Sequence, residues 1–154
     1  MSVTHIDNDT YEFFVMEESF DRTNLGQKST GDIFNIEQSL RMSDQLDGHI
    51  LSGHIDTTGQ VDKIVERPDG SKDIYITYDE RFSKYTIEKG WIAINGVSLT
   101  IVDENIGWLK ASIIPLTSQK TNIGNLQVGQ PVNLEFDEKA KLIARYLDKM
   151  HNYK

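Results

Sequence analysis

The sequence contains no cysteine, and this absence removes several classes of chemistry. Disulfide bonds, thiolate nucleophiles and cysteine-ligated metal sites are all excluded. Basic residues are also few, because 16 Lys and Arg stand against 24 Asp and Glu, for a net charge of −8. Such an acidic surface repels phosphate backbones and anionic lipid headgroups, so we expect no nucleic-acid partner and no membrane partner.

Long apolar runs are lacking as well. Residues 1–14 have neither the basic start nor the apolar stretch of a secretory signal, and no apolar run approaches membrane-spanning length. We therefore expect a cytoplasmic protein. What is present is the composition of a globular chain: 154 residues, of which 38% are hydrophobic, suffice for one domain or for two very small ones.

An internal repeat is the most informative feature of the chain. Residues 23–37 read TNLGQKSTGDIFNIE and residues 121–135 read TNIGNLQVGQPVNLE, so six identities recur at an offset of 121 − 23 = 98. Thr-Asn-x-Gly is also common turn chemistry, but this many matches at one spacing favour a true duplication. Further back, residues 2–4 (Ser-Val-Thr) align with residues 98–100 (Ser-Leu-Thr) at an offset of 96, which implies a two-residue gap.

The two copies differ in what precedes them. In the second copy the stretch from about Leu51 to Val97 comes before Ser98, whereas only Met1 comes before Ser2. We therefore expect roughly half a structural unit to be missing at the amino end. A start codon placed inside a longer gene and a natural truncation both explain this difference.

The chain is predicted to be mostly β-structure. Residues 74–78 and 91–94 are rich in β-branched and aromatic side chains, and residues 97–102 alternate apolar and hydroxyl residues with the period of a strand. Glycines, and the sequence Pro-Asp-Gly at 68–70, separate these segments at turn-like intervals. Short strands with this spacing predict a small barrel or a sandwich, not a parallel α/β sheet.

Two segments are predicted to be helical. Asp79 can cap a short helix over residues 79–86. The stronger candidate runs from Glu138 to Met150, where charged residues surround an apolar stripe. The stripe consists of Leu142, Ile143, Tyr146, Leu147 and Met150. Two interpretations are equally open: the stripe packs on the chain's own barrel, or a partner subunit buries it.

Two histidines are the first candidates for a catalytic or metal-binding role. His49 and His54 lie in the segment GHILSGHI, but their five-residue separation matches neither one face of a strand nor the i, i+4 spacing of a helical zinc motif. With no cysteine either, a metal site is not expected. From the composition alone, hydrogen-bonded histidines beside turn glycines are the simpler interpretation.

Ser98 and Thr100 form the second candidate. They follow the turn at 95–96 and lie two residues apart, so both hydroxyls share one strand face. Each hydroxyl can donate and accept, which suits a polyol or a heterocycle carbonyl. No G-x-S-x-G motif and no neighbouring base marks Ser98 as a nucleophile. A solvated strand face explains the pair equally well.

Four segments together resemble riboflavin synthase of the α-chain type: GHILSGHIDTTGQV, KGWIAINGVSLTIVD, ASIIPLTSQKTNIGNLQVGQPVNLEFD and residues 3–37. The resemblance covers nearly the whole chain. It implies an all-β fold with a complete six-stranded Greek-key barrel on the carboxyl side (41–137). Residues 1–40 would then be the second half of an amino-side barrel, and 138–154 a helix that forms a homotrimer. The family's functional cysteine would fall just before Met1.

The resemblance also implies a reaction, the dismutation of two 6,7-dimethyl-8-ribityllumazine molecules. One molecule gives up a four-carbon unit, so the products are riboflavin and 5-amino-6-ribitylaminouracil. No metal, redox group or other cofactor is implied. Because the C7 methyl group of the electron-poor ring is already acidic, the protein is expected to orient two rings and stabilise the anion. The alternatives are a non-catalytic lumazine- or flavin-binding module, like the antenna proteins that resemble this family, and an inactive fragment.

The resemblance assigns residues to the site. His54, Ser98 and Asp137 are the implied catalytic groups, with His54 transferring a proton or orienting the substrate. Implied substrate contacts of the complete barrel are Gly53, His54, Ile55, Lys89, Ser98, Leu99, Thr100, Ser112, Ile113, Ile114, Pro115, Leu116 and Thr117. Those of the half-barrel are Phe14, Val15, Met16, Glu17, Glu18 and Ser19. The expected partners are ribityllumazine and further copies of the chain. Because the family uses both barrels, we expect the chain alone to bind weakly and turn over poorly.

Overall fold

The computed structural model describes residues 3–152, which form a closed barrel, an amino-terminal hairpin and a carboxyl-terminal helix. The strands are β1 (Val3–Asp7), β2 (Thr10–Phe13), β3 (Thr57–Glu66), β4 (Lys72–Thr77), β5 (Trp91–Ile94), β6 (Val97–Asn105), β7 (Trp108–Ile113) and β8 (Pro131–Phe136). The helices are α1 (Glu17–Arg22), α2 (Pro115–Lys120) and α3 (Glu138–Asn152). Short 3₁₀ turns lie at Asn24–Gln27, Glu80–Tyr85 and Asn122–Asn125.

The barrel is antiparallel throughout and closes in the order β3-β4-β7-β6-β5-β8. This order confirms the predicted all-β fold with a six-stranded barrel and decides against the sandwich. β-branched and leucine side chains alternate along the strands and fill the interior. Burial of each such side chain contributes about 1.5–3 kcal/mol to the free energy of folding. The members with 0% exposure are Ile76, Ile92, Ile101, Leu109, Val132 and Leu134, with Ala111 beside them. The segment predicted as a helix over 79–86 is a 3₁₀ turn, and the side chain of Asp79 caps it.

The internal repeat extends through the hairpin without a gap. Val3 pairs with Phe13 as Ile101 pairs with Ala111, and a register shift follows in both ladders. The later pairs of the two hairpins, the helices α1 and α2, and the 3₁₀ turns that follow them also correspond at the offset of 98. The expected offset of 96 for the first residues is therefore wrong; Ser2 lies outside the described residues. We call 3–37 the amino repeat and 101–135 the carboxyl repeat.

Asparagines join the two repeats reciprocally. The backbone N–H of Asn24 donates to Oδ1 of Asn133, and the backbone N–H of Asn122 donates to Oδ1 of Asn35, both at 2.8 Å. The side-chain amides of Asn24 and Asn122 each donate to a backbone carbonyl of the opposite repeat, at 2.9 and 3.1 Å. Every one of these bonds has its counterpart 98 positions away. The repeated asparagines therefore hold the amino repeat against the barrel.

Helix α3 contacts the rest of the chain through Ala144 and two ion pairs, and not through its apolar stripe. The five members of the stripe are 49–71% exposed. Buried Ala144 faces the barrel, and ion pairs join Lys141 to Asp56 at 2.9 Å and Lys84 to Asp148 at 2.6 Å. The interpretation that the stripe packs on the chain's own barrel is therefore wrong. Across residues 3–152, no helix has the length and apolar character needed to cross a membrane.

Candidate ligand-binding site

The candidate site lies on the outer surface of the barrel, where β5, β6, β7 and β4 run side by side. Along β6 the side chain of Leu99 points into the core, whereas Ser98 and Thr100 point outward, as the alternation of a strand requires. Thr100 pairs with Trp91 of β5. Hydroxyl and aromatic side chains therefore share this surface.

His49 covers the hydroxyl of Ser98. Its ring Nδ1 lies 2.7 Å from Ser98 Oγ, and its backbone N–H donates to the same oxygen at 3.3 Å. The imidazole stacks on the indole of Trp91 with 5.5 Å between ring centroids. Gly48 makes this approach possible, because a Cβ at this position would lie 2.6 Å from Ser98 Oγ, and its φ is +86°. The chain before β3 thus wraps closely over β6.

Partial burial keeps the His49 ring neutral, against the attraction of two nearby carboxylates. Partial burial lowers the pKa of His49 below the ordinary value of 6.5, and this effect outweighs the opposing attraction of the Asp137 and Glu135 carboxylates. Its Nε2 is buried and has no hydrogen-bond partner within the described part of the chain. A neutral ring with one nitrogen engaged is therefore the state of His49 at physiological pH.

Glu135 fastens the same covering segment, residues 48–55, at a second point. It is only 4% exposed, and its carboxylate accepts the backbone N–H of Ser52 at 2.7 Å, the Ser52 hydroxyl at 2.8 Å and the N–H of Gly53 at 3.1 Å. Such donors compensate the burial of the charge. The covering segment is therefore attached to β6 through Ser98 and to β8 through Glu135.

The three predicted catalytic residues occupy different surroundings. Asp137 follows β8 and accepts the N–H of Lys139 at 3.0 Å at the start of α3, close enough to His49 to act on its pKa. Ser98 and Asp137 therefore both lie around His49. His54 is exposed, and its backbone N–H donates to Ser52 Oγ at 3.3 Å. Within residues 3–152 the His54 ring forms no hydrogen bond, so its predicted role needs a ligand or a partner.

A shallow depression of about 470 Å³ adjoins β7. Ser112, predicted from the resemblance, lines it and donates from Oγ to Asp73 at 2.6 Å. Arg67 binds the same carboxylate, and Lys110 lies nearby in the lining. The Ser112 hydrogen bond, followed by the Arg67 guanidinium, holds the pKa of Asp73 below its ordinary value. Ser112 is thus already engaged, although its face of the barrel is open.

The remaining predicted contacts of the barrel fall into two groups. Leu99 and Ile113 belong to the core, with 7% and 1% exposure, so they can meet a ligand only through their backbone. The others lie on the surface: Gly53, Ile55, Lys89, Ile114, Pro115, Leu116 and Thr117 are all exposed or partly exposed. Lys89 occupies a left-handed turn with φ of 65°, and its N–H donates to the carbonyl of Ile101 at 2.8 Å.

The predicted contacts in the amino repeat correspond to residues 112–117 at the offset of 98. They are Phe14, Val15, Met16, Glu17, Glu18 and Ser19, which run from the end of β2 into α1. Phe14 and Met16 are 73% and 62% exposed, and Glu18 pairs with Arg22 at 3.0 Å. The same local geometry therefore occurs twice in the chain.

Sequence reasoning missed the contacts that organise the site. The sequence alone favours a hydrogen-bonded histidine beside a turn glycine for His49, and its motifs mark neither Trp91 nor Glu135. One signal was available, because Trp91 begins the strand before the turn at 95–96, opposite the hydroxyl pair. The burial of Glu135 had no such signal, since its donors lie 82 and 83 positions away in the chain.

Known proteins resemble this chain in sequence and in fold. The family described as "Lumazine binding domain" matches residues 52–137. The riboflavin synthase of Actinobacillus pleuropneumoniae is 37% identical over 148 residues, which are 96% of this chain and 68% of that protein. The riboflavin synthase of Buchnera aphidicola is 39% identical over 147 residues, covering 93% of this chain and 69% of that protein.

Solved structures of a lumazine- and riboflavin-binding protein have a fold similar to that of this chain. LumP in complex with riboflavin superposes with a TM-score of 0.80 at 26% identity, over 89% of this chain and 73% of LumP. LumP in complex with 6,7-dimethyl-8-(1'-D-ribityl) lumazine gives a TM-score of 0.76, also at 26% identity, over 87% of this chain and 71% of that one. The sequence relatives and the shared fold lead to one conclusion: the chain belongs to the riboflavin synthase family.

Proposed function

We propose that the outer barrel face around Ser98 and Thr100 binds 6,7-dimethyl-8-ribityllumazine and presents it for riboflavin synthesis. The observation that carries this proposal is the pair of outward hydroxyls on β6, bordered by Trp91 and His49. The family is one of transferases, and the related fold of LumP holds a ribityllumazine and riboflavin. Hydroxyls recognise ring carbonyls, and an indole offers a flat surface to a heterocycle.

The proposed reaction is the dismutation of two ribityllumazines, in which one transfers a four-carbon unit to the other. The products are riboflavin and 5-amino-6-ribitylaminouracil. Ser98 donates a hydrogen bond to the ring and stabilises the anion that forms when the C7 methyl group loses a proton. In this proposal the carboxylate of Asp137, which is close enough to His49 to act on its pKa, lies near the reacting ring. Exposed His54 is free to reach a second lumazine, held by another barrel, and to move the proton.

The remaining predicted residues complete the proposal. Residues at 89 and at 112–117 border the ring and ribityl chain bound on this barrel, and 14–19 form the corresponding border in the amino repeat. Residues 53–55 face the lumazine that is held by the amino-side barrel of a neighbouring subunit. We propose that residues 41–137 act as the complete lumazine-binding unit, 1–40 as half of a second unit and 138–154 as an oligomerisation helix. The exposed stripe of α3 suits burial between subunits of a homotrimer. The cytoplasmic location stays a prediction.

A titration of the chain with ribityllumazine, followed by an assay for riboflavin fluorescence, tests this function. We expect binding that weakens by at least about tenfold in the double variant Ser98→Ala/Thr100→Ala, because two ligand hydrogen bonds are lost. Ser29→Ala, an exposed hydroxyl outside the barrel, serves as the matched control. Turnover is expected to be low, since the described residues close one barrel and the reaction uses two lumazines. Undiminished binding by the double variant would contradict the proposed site.

A non-catalytic lumazine- or flavin-binding module is the second candidate, and the likeness to the LumP complexes favours it. The same assay separates the two functions. Riboflavin formation, however slow, requires the transferase. Tight binding of riboflavin with no formation of it, at any concentration of chain and lumazine, would support the binding module instead.

A further inference from the structure

His49, which covers Ser98, makes two contacts with its hydroxyl oxygen. The inference drawn from these contacts rests on the proposed function and adds a residue that positions Ser98. Ser98 Oγ receives the backbone N–H of His49 at 3.3 Å and lies 2.7 Å from Nδ1 of the same residue. Both contacts come from one residue in the covering segment. The orientation of the Ser98 hydroxyl is therefore decided by the protonation of a single imidazole.

Two neutral tautomers of His49 give Ser98 opposite properties. If Nε2 carries the proton, Ser98 donates to Nδ1 and shows a ligand only an oxygen lone pair. If Nδ1 carries the proton, it donates to Ser98 Oγ, which then accepts twice and directs its own O–H toward the open surface. One ring nitrogen thus sets whether the site offers a ligand an acceptor or a donor.

Burial of Nε2 distinguishes between these tautomers. That atom has no hydrogen-bond partner within the described residues and no contact with solvent. Buried N–H groups without an acceptor are rarer in proteins than buried acceptors without a donor. An unprotonated Nε2 is therefore favoured, which leaves the proton on Nδ1, facing Ser98.

We propose that His49 is the positioning residue of the site: its Nδ1–H fixes the Ser98 hydroxyl so that Ser98 donates its hydrogen bond outward to the lumazine ring. Stacking on Trp91 holds the imidazole plane, and the absence of a side chain at Gly48 lets the backbone N–H reach the same oxygen. A donor in this place matches the negative charge that the proposed reaction develops on the ring. His49 thus acts on the ligand through Ser98.

Two substitutions at position 49 separate hydrogen bonding from packing. His49→Phe keeps an aromatic ring against Trp91 but removes Nδ1. His49→Asn loses the stacking but can place a side-chain amide N–H near Ser98 Oγ. We expect the phenylalanine variant to bind ribityllumazine roughly tenfold more weakly and the asparagine variant to stay within about threefold of the unsubstituted chain. His151→Phe, on the exposed end of α3, is the control.

A double-mutant cycle with Ser98→Ala shows whether His49 acts through Ser98. We expect His49→Phe to change ribityllumazine affinity less than twofold in the Ser98→Ala background. Equal losses in both backgrounds, or a loss in His49→Asn as large as in His49→Phe, would overturn the proposal in favour of a packing role. Thermal unfolding of each variant identifies losses that follow from reduced stability.

Nitrogen-15 NMR of the imidazoles tests the hydrogen bond without any ligand. We expect a protonated Nδ1 on His49 in the unsubstituted chain and a change of tautomer in Ser98→Ala. A protonated Nε2, or a tautomer indifferent to Ser98, would overturn the His49 assignment even if lumazine binds. Failure of the unsubstituted chain to bind ribityllumazine contradicts the proposed function instead, and the NMR result then still decides the hydrogen bond.

Discussion

The amino repeat and the carboxyl repeat have the same local structures but very different burial. Each has a hairpin with a register shift in the same place, a six-residue helix and a capped 3₁₀ turn. In the carboxyl repeat Leu109 and Leu134 are fully buried, whereas their counterparts Tyr11 and Ile36 are 50% and 72% exposed. Local sequence therefore determines these elements, but it does not by itself produce a core.

The difference arises from the strands that flank each hairpin. In the barrel β7 pairs with β4, β6 pairs with β5, and β8 lies between β5 and β3. Among residues 3–152 the hairpin β1–β2 pairs with no other strand, and the counterpart of β8 around Ile36 has no ladder to join. An open edge with apolar side chains on its face is a surface that a further chain segment could cover.

The largest expected effect comes from one core position compared between the repeats. Leu134→Ala is expected to lower the free energy of unfolding by about 2–5 kcal/mol, because it leaves a cavity in the closed barrel. Ile36→Ala, at the corresponding exposed position, should change the free energy of unfolding by less than about 0.5 kcal/mol. Urea denaturation measures both. A comparable loss in the two variants would show that the amino repeat has a buried core in solution.

Glu135 and Glu37 provide the next comparison, since they too correspond at the repeat offset. Glu135→Gln replaces an acceptor of three hydrogen bonds with an amide, and we expect a loss of about 1.5–3 kcal/mol in the free energy of unfolding. Exposed Glu37→Gln should be close to neutral. Hydrogen exchange of Ser52 and Gly53 supplies a second measurement. Unchanged protection of the Gly53 amide in Glu135→Gln would disprove the attachment of the covering segment to β8, because the side-chain amide keeps one oxygen for the Ser52 donors and none for Gly53.

The barrel and the repeat could be predicted from sequence because their signals are local and periodic. Alternation along β6 revealed Ser98 and Thr100, and turn residues marked the ends of the strands. The contact of His49 with Ser98 spans 49 positions and that of Ser52 with Glu135 spans 83. Both depend on the path of residues 28–56, which contain no strand or helix and hence no periodic pattern. The outward direction of Ser98 and Thr100 could therefore be predicted from the sequence, but the path of the segment that covers Ser98 could not.

Substitution of an asparagine that joins the repeats is expected to lower the free energy of unfolding by less than Glu135→Gln does. Asn133→Ala leaves the N–H of Asn24, a residue only 3% exposed, without its acceptor, at a cost of about 1–3 kcal/mol. Because these bonds hold the amino repeat to the barrel, we expect the loss to appear as faster proteolysis near residues 28–46. Asn125→Ala, on an exposed turn, is the control. Equal proteolysis of the two variants would mean that other contacts hold the repeat in place.

The smallest expected effect is a loss of folding stability at low pH, caused by His49 in the segment between the two repeats. Burial lowers the pKa of His49, so between that lowered pKa and 6.5 the unfolded chain binds more protons at this residue than the folded chain. The stability contributed by His49 is therefore complete above pH 6.5 and falls as the pH drops through this interval. Asp73, whose pKa is also lowered, loses its contribution only below its ordinary value of 3.8, so the two effects occupy separate pH ranges.

Denaturation of the unsubstituted chain and of His49→Phe between pH 4.5 and 7.5 isolates the histidine. We expect the unsubstituted chain to lose stability relative to the variant as the pH falls below 6.5, and parallel curves would mean that the ring is as hydrated when folded as when unfolded.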